Sequence, residues 1–399
     1  MSKTVRQWVL RLIKFAVCAG ALWYLSDKVA LNDRIRLADD PDTAYRLVGK
    51  SETAITILRD GQTVEVPRDR IARHHQLKKG QRAEEKGLQS LVVTANRRWG
   101  LLAIAVFGPV TFLVAWRIQL LLAAQQIFLR YGEALLLTFA GNFFNFALPG
   151  TTGGDLYKAY HVARRTRRRT EGVTIILLDR AIGLATFLVL AVITILAFWR
   201  SSMIGPFGKL VGCMAVAFVV GSAFFFSRRL RRVIRFDALR DRLPLAEKVR
   251  RADATIFSLR RHRWLSAYAF VLTLVSHLLI VACIYFAARG FGMDRSADLA
   301  SVHLYWACLL ATVVGFLVAA IPISFQGFGL LEAVFYKVLV EGGWATPSQM
   351  LAVTLSLRLI QIFWSLPGVI VPWLGFARPT DTTLEAFDAG HAAESTAAS

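Results

Sequence analysis

The sequence predicts an all-α polytopic membrane protein of about seven or eight transmembrane helices. One or two re-entrant broken helices and a small extramembrane insert containing a β-hairpin complete the expected fold. Three observations carry this. The 399 residues are 55% hydrophobic, with a mean hydropathy of +0.47. The apolar residues come in runs that approach the roughly twenty needed to cross a hydrocarbon core, longer than the four to eight of a soluble core strand. The Lys and Arg behind a net charge of +21 sit in short blocks between those runs. The positive-inside bias and attraction to anionic lipid account for such blocks, and nucleic acid is not indicated as a partner.

The first apolar run, Trp8 to Leu25, carries Arg11 and Lys14, which snorkel to the cytoplasmic surface. Ala19-Gly20-Ala21 resembles a signal-peptide cleavage site, but LWYL continues the run past it, so residues 1–25 read as an uncleaved anchor. Residues 26–98 form a polar, extracytoplasmic insert. Within it TAITILRDGQTVEVP alternates apolar and polar residues around Asp60-Gly61, a hairpin signal. His74 and His75 lack a ligand cluster and read as solvated. Cys18, Cys213, Cys283 and Cys308 all lie in apolar runs without CxxC spacing and read as small fillers. No cofactor and no metal are expected.

Residues 99–376 form the membrane region, followed by a disordered polar tail, 377–399. Long runs cover Trp99–Ala123, Val173–Trp199, Phe207–Phe226, Trp264–Ala288, Leu299–Ala320 and Leu351–Phe376. Two further segments are anomalous. Glu133 to Leu148 is short and stops at Pro149-Gly150, and Ile321 to Val340 is interrupted by Pro322, Gln326, Gly327, Gly329 and Glu332. If the first of these enters and turns back, the basic N-terminus, the Arg164–Arg169 block and the arginine-rich 228–263 loop all fall on the cytoplasmic side. A full crossing would put the basic N-terminus outside.

The first break, NFFNFALPGTTGGD, is a polar sequence where only backbone buried in protein or lining a wet cavity is tolerated. Asn142 and Asn145 share a helix face, Gly153 and Gly154 allow close backbone approach, and Asp155 stands where a helix cap would, with Lys158 one turn on. Such a helix start suits a phosphate or carboxylate. The second break is a weaker copy, with Gln326, Gly327 and Glu332. An arginine follows each acid at nearly equal distance, Arg180 after Asp155 and Arg358 after Glu332, and Asp179 precedes Arg180. Ionisable groups in apolar segments face the bundle interior and pair with one another or with a substrate. Paired broken segments in two halves of a chain point to a midplane binding site. These twelve residues are the candidate substrate-binding set, and no catalytic residue is assigned.

The order N-x-x-N-x-x-L-P-G-x-x-G-G-D-x-x-[KR]-x-Y, a basic loop, D-R-x-x-G-L, then P-x-S-x-x-G-x-G-x-x-E with L-x-x-R downstream resembles the lysylphosphatidylglycerol synthase transmembrane-region family. The resemblance implies a membrane fold with re-entrant segments and a role in translocating or presenting lipids. Lys158 stands where relatives more often carry Arg, which keeps the charge and loses bidentate phosphate geometry. The polar tail leaves no room for the soluble aminoacyltransferase domain of the full synthases, so the chain is expected to be a stand-alone, non-enzymatic member. Expected partners are membrane lipids, anionic ones first, and an enzyme of lipid or glycan synthesis. The expected location is the cell inner membrane with a cytoplasmic N-terminus. The competing readings are a membrane enzyme or accessory subunit of a lipid-linked glycosyltransferase pathway, and a structural scaffold.

Overall fold

The computed structural model describes residues 28–72, 82–147, 153–166, 168–197, 205–226, 263–293, 301–320 and 327–371, with a few isolated positions besides. The N-terminal anchor, His74 and His75, Pro149 and Gly150, most of the 228–263 loop, Pro322, Gln326 and the tail lie outside the described residues.

The insert is a five-stranded antiparallel sheet in the order β4-β3-β2-β1-β5. Its strands are β1 (Arg34–Arg36), β2 (Ala44–Lys50), β3 (Ala54–Arg59), β4 (Gln62–Pro67) and β5 (Glu84–Glu85). The expected hairpin is β3–β4, with Arg59 opposite Gln62. Asp60 and Gly61 both have positive φ, 52° and 80°, as a two-residue type I′ turn requires. Ile35, Ile55 and Ile57 are fully buried and make its core. The insert is seated on the helical part: the Ser348 hydroxyl bonds both Ala30 N–H and Ala30 carbonyl at 3.1 Å, and Arg82 donates to the Trp344 carbonyl at 3.3 Å.

After a short helix, α1 (Leu88–Thr94), the chain passes twice through one series of elements: long helix, helical hairpin, long helix. The first pass is α2 (Arg97–Ala123), α3 (Tyr131–Ala147), α4 (Gly153–Arg165) and α5 (Arg169–Ala197). After α6 (Gly205–Phe226) the second pass is α7 (Arg263–Gly290), α8 (Ser301–Ala319), α9 (Leu330–Phe335, continued by a π turn through Val340) and α10 (Pro347–Ser365, continued by a 3-10 turn through Val369). Among the described residues, four helical stretches are long and apolar enough to cross a membrane: Arg97–Ala123, Arg169–Ala197, Arg263–Gly290 and Pro347–Val369. They are the outer helices of the two passes. Shorter apolar stretches lie at Gly208–Phe218 and Leu304–Ala319.

The second pass runs opposite to the first. Trp99, near the start of α2, stacks on Phe286 near the end of α7 at 5.6 Å, whereas Trp116 meets Tyr268 near the start of α7 at 5.6 Å. Helix α5 begins where α2 ends, with Arg168 donating to the Gln125 carbonyl at 3.3 Å. Helix α10 begins where α7 ends, with Gln349 donating to the Phe291 carbonyl at 3.0 Å. That start is fixed locally: Thr346 and Gln349 form a reciprocal capping box around Pro347.

Both middle elements are antiparallel hairpins. In the first, Arg165 pairs with Glu133 at its mouth (2.9 Å) and Gly154 N–H meets Asn145 Oδ1 (2.8 Å) at its tip. In the second, Gly315 packs against Phe335 and Gly327 against Ala319. Gly327 and Gly329, at φ 72° and 82°, make the return that a side-chain-bearing residue would strain. The first mouth lies at the end of α2. The second lies at the end of α7, where Tyr305 meets Tyr285 at 5.6 Å. The hairpins therefore open at opposite ends of the bundle.

Candidate functional site

The tips of the two hairpins border one cavity of about 420 Å³. Asn142, Asn145 and Phe146 of α3 line it from one side, and Phe316 and Ala319 of α8 with the adjoining Ala320 from the other. Asp155, Lys158, Asp179, Arg180 and Arg358 of the candidate set also line it, together with Arg117, His277 and Gln361.

The first hairpin owes its tight fit to glycine. Gly154 packs on the Gly141 carbonyl, and the Lys158 stem lies across Gly141, so a Cβ at either glycine would collide with its neighbour. Gly153 and Gly154 are the buried first residues of α4. Asn145 already takes the Gly154 amide, so that amide is not an exposed anion donor as the sequence suggested. Asp155 is likewise not the helix cap. It is the third residue of α4, and its Oδ2 takes Arg180 Nη1 at 2.6 Å.

The second hairpin repeats this pairing. Glu332 is the third residue of α9, and Arg358 Nε and Nη2 reach its Oε1 at 3.1 and 2.8 Å. Arg180 and Arg358 are each the twelfth residue of the following helix, α5 or α10. The other Glu332 oxygen accepts Gly329 N–H at 2.7 Å, and the Arg358 guanidinium lies 3.5 Å from the Phe328 ring centre. Glu332 stands behind Arg358 and Gly327 supports the turn, so neither lines the cavity; Gln326 lies outside the described residues. The two pairs differ in solvation. Side-chain exposure is 10% and 3% for Arg358 and Glu332, against 27% and 24% for Arg180 and Asp155.

Asp179 does not join Arg180. Successive residues on a helix point about 100° apart, and Asp179 turns to Arg117 of α2, with Nε–Oδ1 at 2.6 Å and Nη2–Oδ2 at 2.8 Å. Arg117 also donates to Thr273 of α7 at 2.7 Å, tying three helices together. The sequence reading missed Arg117. The same signal that exposed Arg180, an arginine inside an apolar run, marks it within AWRIQLL. His277 lines the cavity stacked on Phe187, ring centres 3.5 Å apart.

Apolar helices of membrane length, arranged as two inverted passes around a cavity lined with buried charges, define a multi-pass integral membrane protein with a polar interior chamber. The profile of the lysylphosphatidylglycerol synthase TM region family matches residues 86–368. The protein belongs to that family, and the match begins where the insert's sheet ends. A search of curated proteins finds no match to the chain.

Proposed function

We propose that the protein is a lipid flippase or transporter that moves or presents an anionic or phosphate-bearing lipid through the cavity between the hairpin tips. The observation that carries the reading is the convergence of two oppositely opening hairpins, each with its own acid–arginine pair, on a single chamber. Broken helices that meet at an internal site between inverted repeats are the architecture of alternating access. In this reading the α3–α4 hairpin re-enters from the cytoplasmic side and the α8–α9 hairpin from the other, with the insert extracytoplasmic. A headgroup sits among the charges while its acyl chains stay in lipid. The partly solvated Asp155–Arg180 pair is the one that borders the headgroup; the buried Glu332–Arg358 pair holds the second hairpin in shape, because separating buried charges costs more. The protein acts without catalysis of its own, and its energy comes from an ion gradient or the lipid gradient.

The test is reconstitution of the full chain into vesicles with a fluorescent phosphatidylglycerol, reading transbilayer movement by quenching of the outer leaflet. Wild type accelerates movement, and Asp155→Ala or Arg180→Ala proteins that remain folded lose it. Absence of movement for every lipid class supplied would overturn the reading in favour of an enzyme partner or a scaffold.

A further inference from the structure

The arginines of the cavity are already matched: Arg117 by Asp179, Arg180 by Asp155 and Arg358 by Glu332. Lys158 is different. It is 95% buried, since its relative exposure is 5%, and it lines the cavity, yet no carboxylate among the described residues pairs with it. A surplus cation held away from water needs a compensating charge from whatever occupies the chamber.

The internal repeat shows that hairpin packing does not demand this lysine. In each hairpin a glycine of the first helix lies under the residue three past the acid. In the first, Gly141 lies under Lys158; in the second, Gly315 lies under Phe335, whose ring a Cβ on the glycine would meet at 3.1 Å. Phe335 is fully buried in the apolar core. One architecture thus accepts an apolar side chain at this place, and only the copy facing the chamber carries a charge.

Resting on the lipid-carrying reading above, we propose that Lys158 receives the phosphate of a monoanionic phosphodiester lipid, so the chamber prefers a single phosphate with an uncharged headgroup. A diphosphate brings a further negative charge that has to break one of the three ion pairs. A zwitterionic or aminoacylated headgroup brings a cation for which the matched carboxylates are not free. Asn142 and Gln361, which also line the chamber, supply neutral donors for the remaining phosphate oxygens.

The test uses full-length protein in detergent micelles and fluorescent lipids sharing one acyl composition: phosphatidylglycerol, phosphatidylcholine, lysylphosphatidylglycerol and diacylglycerol diphosphate. Phosphatidylglycerol binds tightest to wild type. Lys158→Met, whose side chain fits over Gly141 as Phe335 fits over Gly315, weakens that binding by about tenfold or more, the effect of one charge-assisted contact. Lys158→Arg restores most of it. Equal phosphatidylglycerol binding by a folded Lys158→Met protein, or tighter wild-type binding of the diphosphate, overturns the assignment. Soluble glycerophosphoglycerol and inorganic phosphate compete only at far higher concentration; competition at lipid-like concentration would overturn the lipid as the source of the phosphate. Lys158-dependent binding without transbilayer movement in vesicles would refute transport and keep this site. Movement with the same headgroup preference in Lys158→Met would refute this site and keep transport.

Discussion

Glu332→Gln separates a structural from a substrate-facing role for the second acid–arginine pair. The substitution keeps the volume and leaves an acceptor for Gly329 N–H, but it strips Arg358 of its counter-charge where the two side chains are 10% and 3% exposed. Removing one partner of a buried pair costs about 3–5 kcal/mol in soluble proteins. Polar contacts in membrane proteins run lower, at about 0.6–2 kcal/mol, because the membrane-unfolded state also finds partners. The expected loss therefore lies between about 1 and 4 kcal/mol, net of the Arg358 contact with the Phe328 ring. For a chain of this length that is a fall of several degrees in the melting temperature of purified protein, roughly 1–2 °C per kcal/mol. Arg358→Met added to Glu332→Gln removes the stranded charge and recovers part of the loss. An unchanged melting temperature in Glu332→Gln, or a double variant that loses the full sum of the two single effects, would refute the view that this pair is a buried clamp.

Asp155→Asn touches a pair about a quarter exposed, so its stability cost is about 1 kcal/mol or less, while transbilayer movement in vesicles falls at least tenfold. Gly154→Val drives a side chain into the Gly141 carbonyl and Asn145; the expected readout is a drop of several degrees in melting temperature, and a wild-type value would contradict the packing. In the insert, the Thr43 side chain first, then the Tyr45 hydroxyl and the Thr43 N–H hydrogen-bond the Asp40 carboxylate and hold it below its ordinary 3.8, while the bond to Asp40 raises the Tyr45 phenol above its ordinary 10.0. The carboxylate's contribution is present above the ordinary Asp pKa and lost as pH falls through the depressed value. The phenol's is present below the ordinary Tyr pKa and lost as pH rises through the raised one. Tyr45→Phe accordingly removes a tyrosinate absorbance step that lies above pH 10, and a step at or below pH 10 would contradict the contact.

Much of the site was legible because charge inside an apolar run is costly enough to demand a reason. The near-equal offsets from Asp155 to Arg180 and from Glu332 to Arg358 anticipated two pairs that the fold closes. The partner of Asp179 was not legible, since adjacency in sequence suggests Arg180 whereas helical rotation sends the two side chains to different neighbours. The β3–β4 turn was readable from Asp60-Gly61. The rest of the sheet was not, because β1 and β5 are short, polar strands, RIR and EE, held by long-range pairing. The inversion of the two passes was also hidden: helices apolar on all sides carry no periodic stripe to say which face packs, and the α2–α7 contact is settled only in three dimensions.

Entry of a lipid headgroup into the chamber is measured most directly by photo-crosslinking in vesicles with a phosphatidylglycerol bearing a diazirine beside its phosphate, followed by peptide mapping. Labels are expected on the cavity flanks of both hairpins, around Asn142 to Phe146 and Phe316 to Ala320, competed by unlabelled phosphatidylglycerol. Labels confined to outward-facing positions such as Leu177, Ile193 and Leu359, which are 62%, 55% and 65% exposed, would contradict headgroup entry.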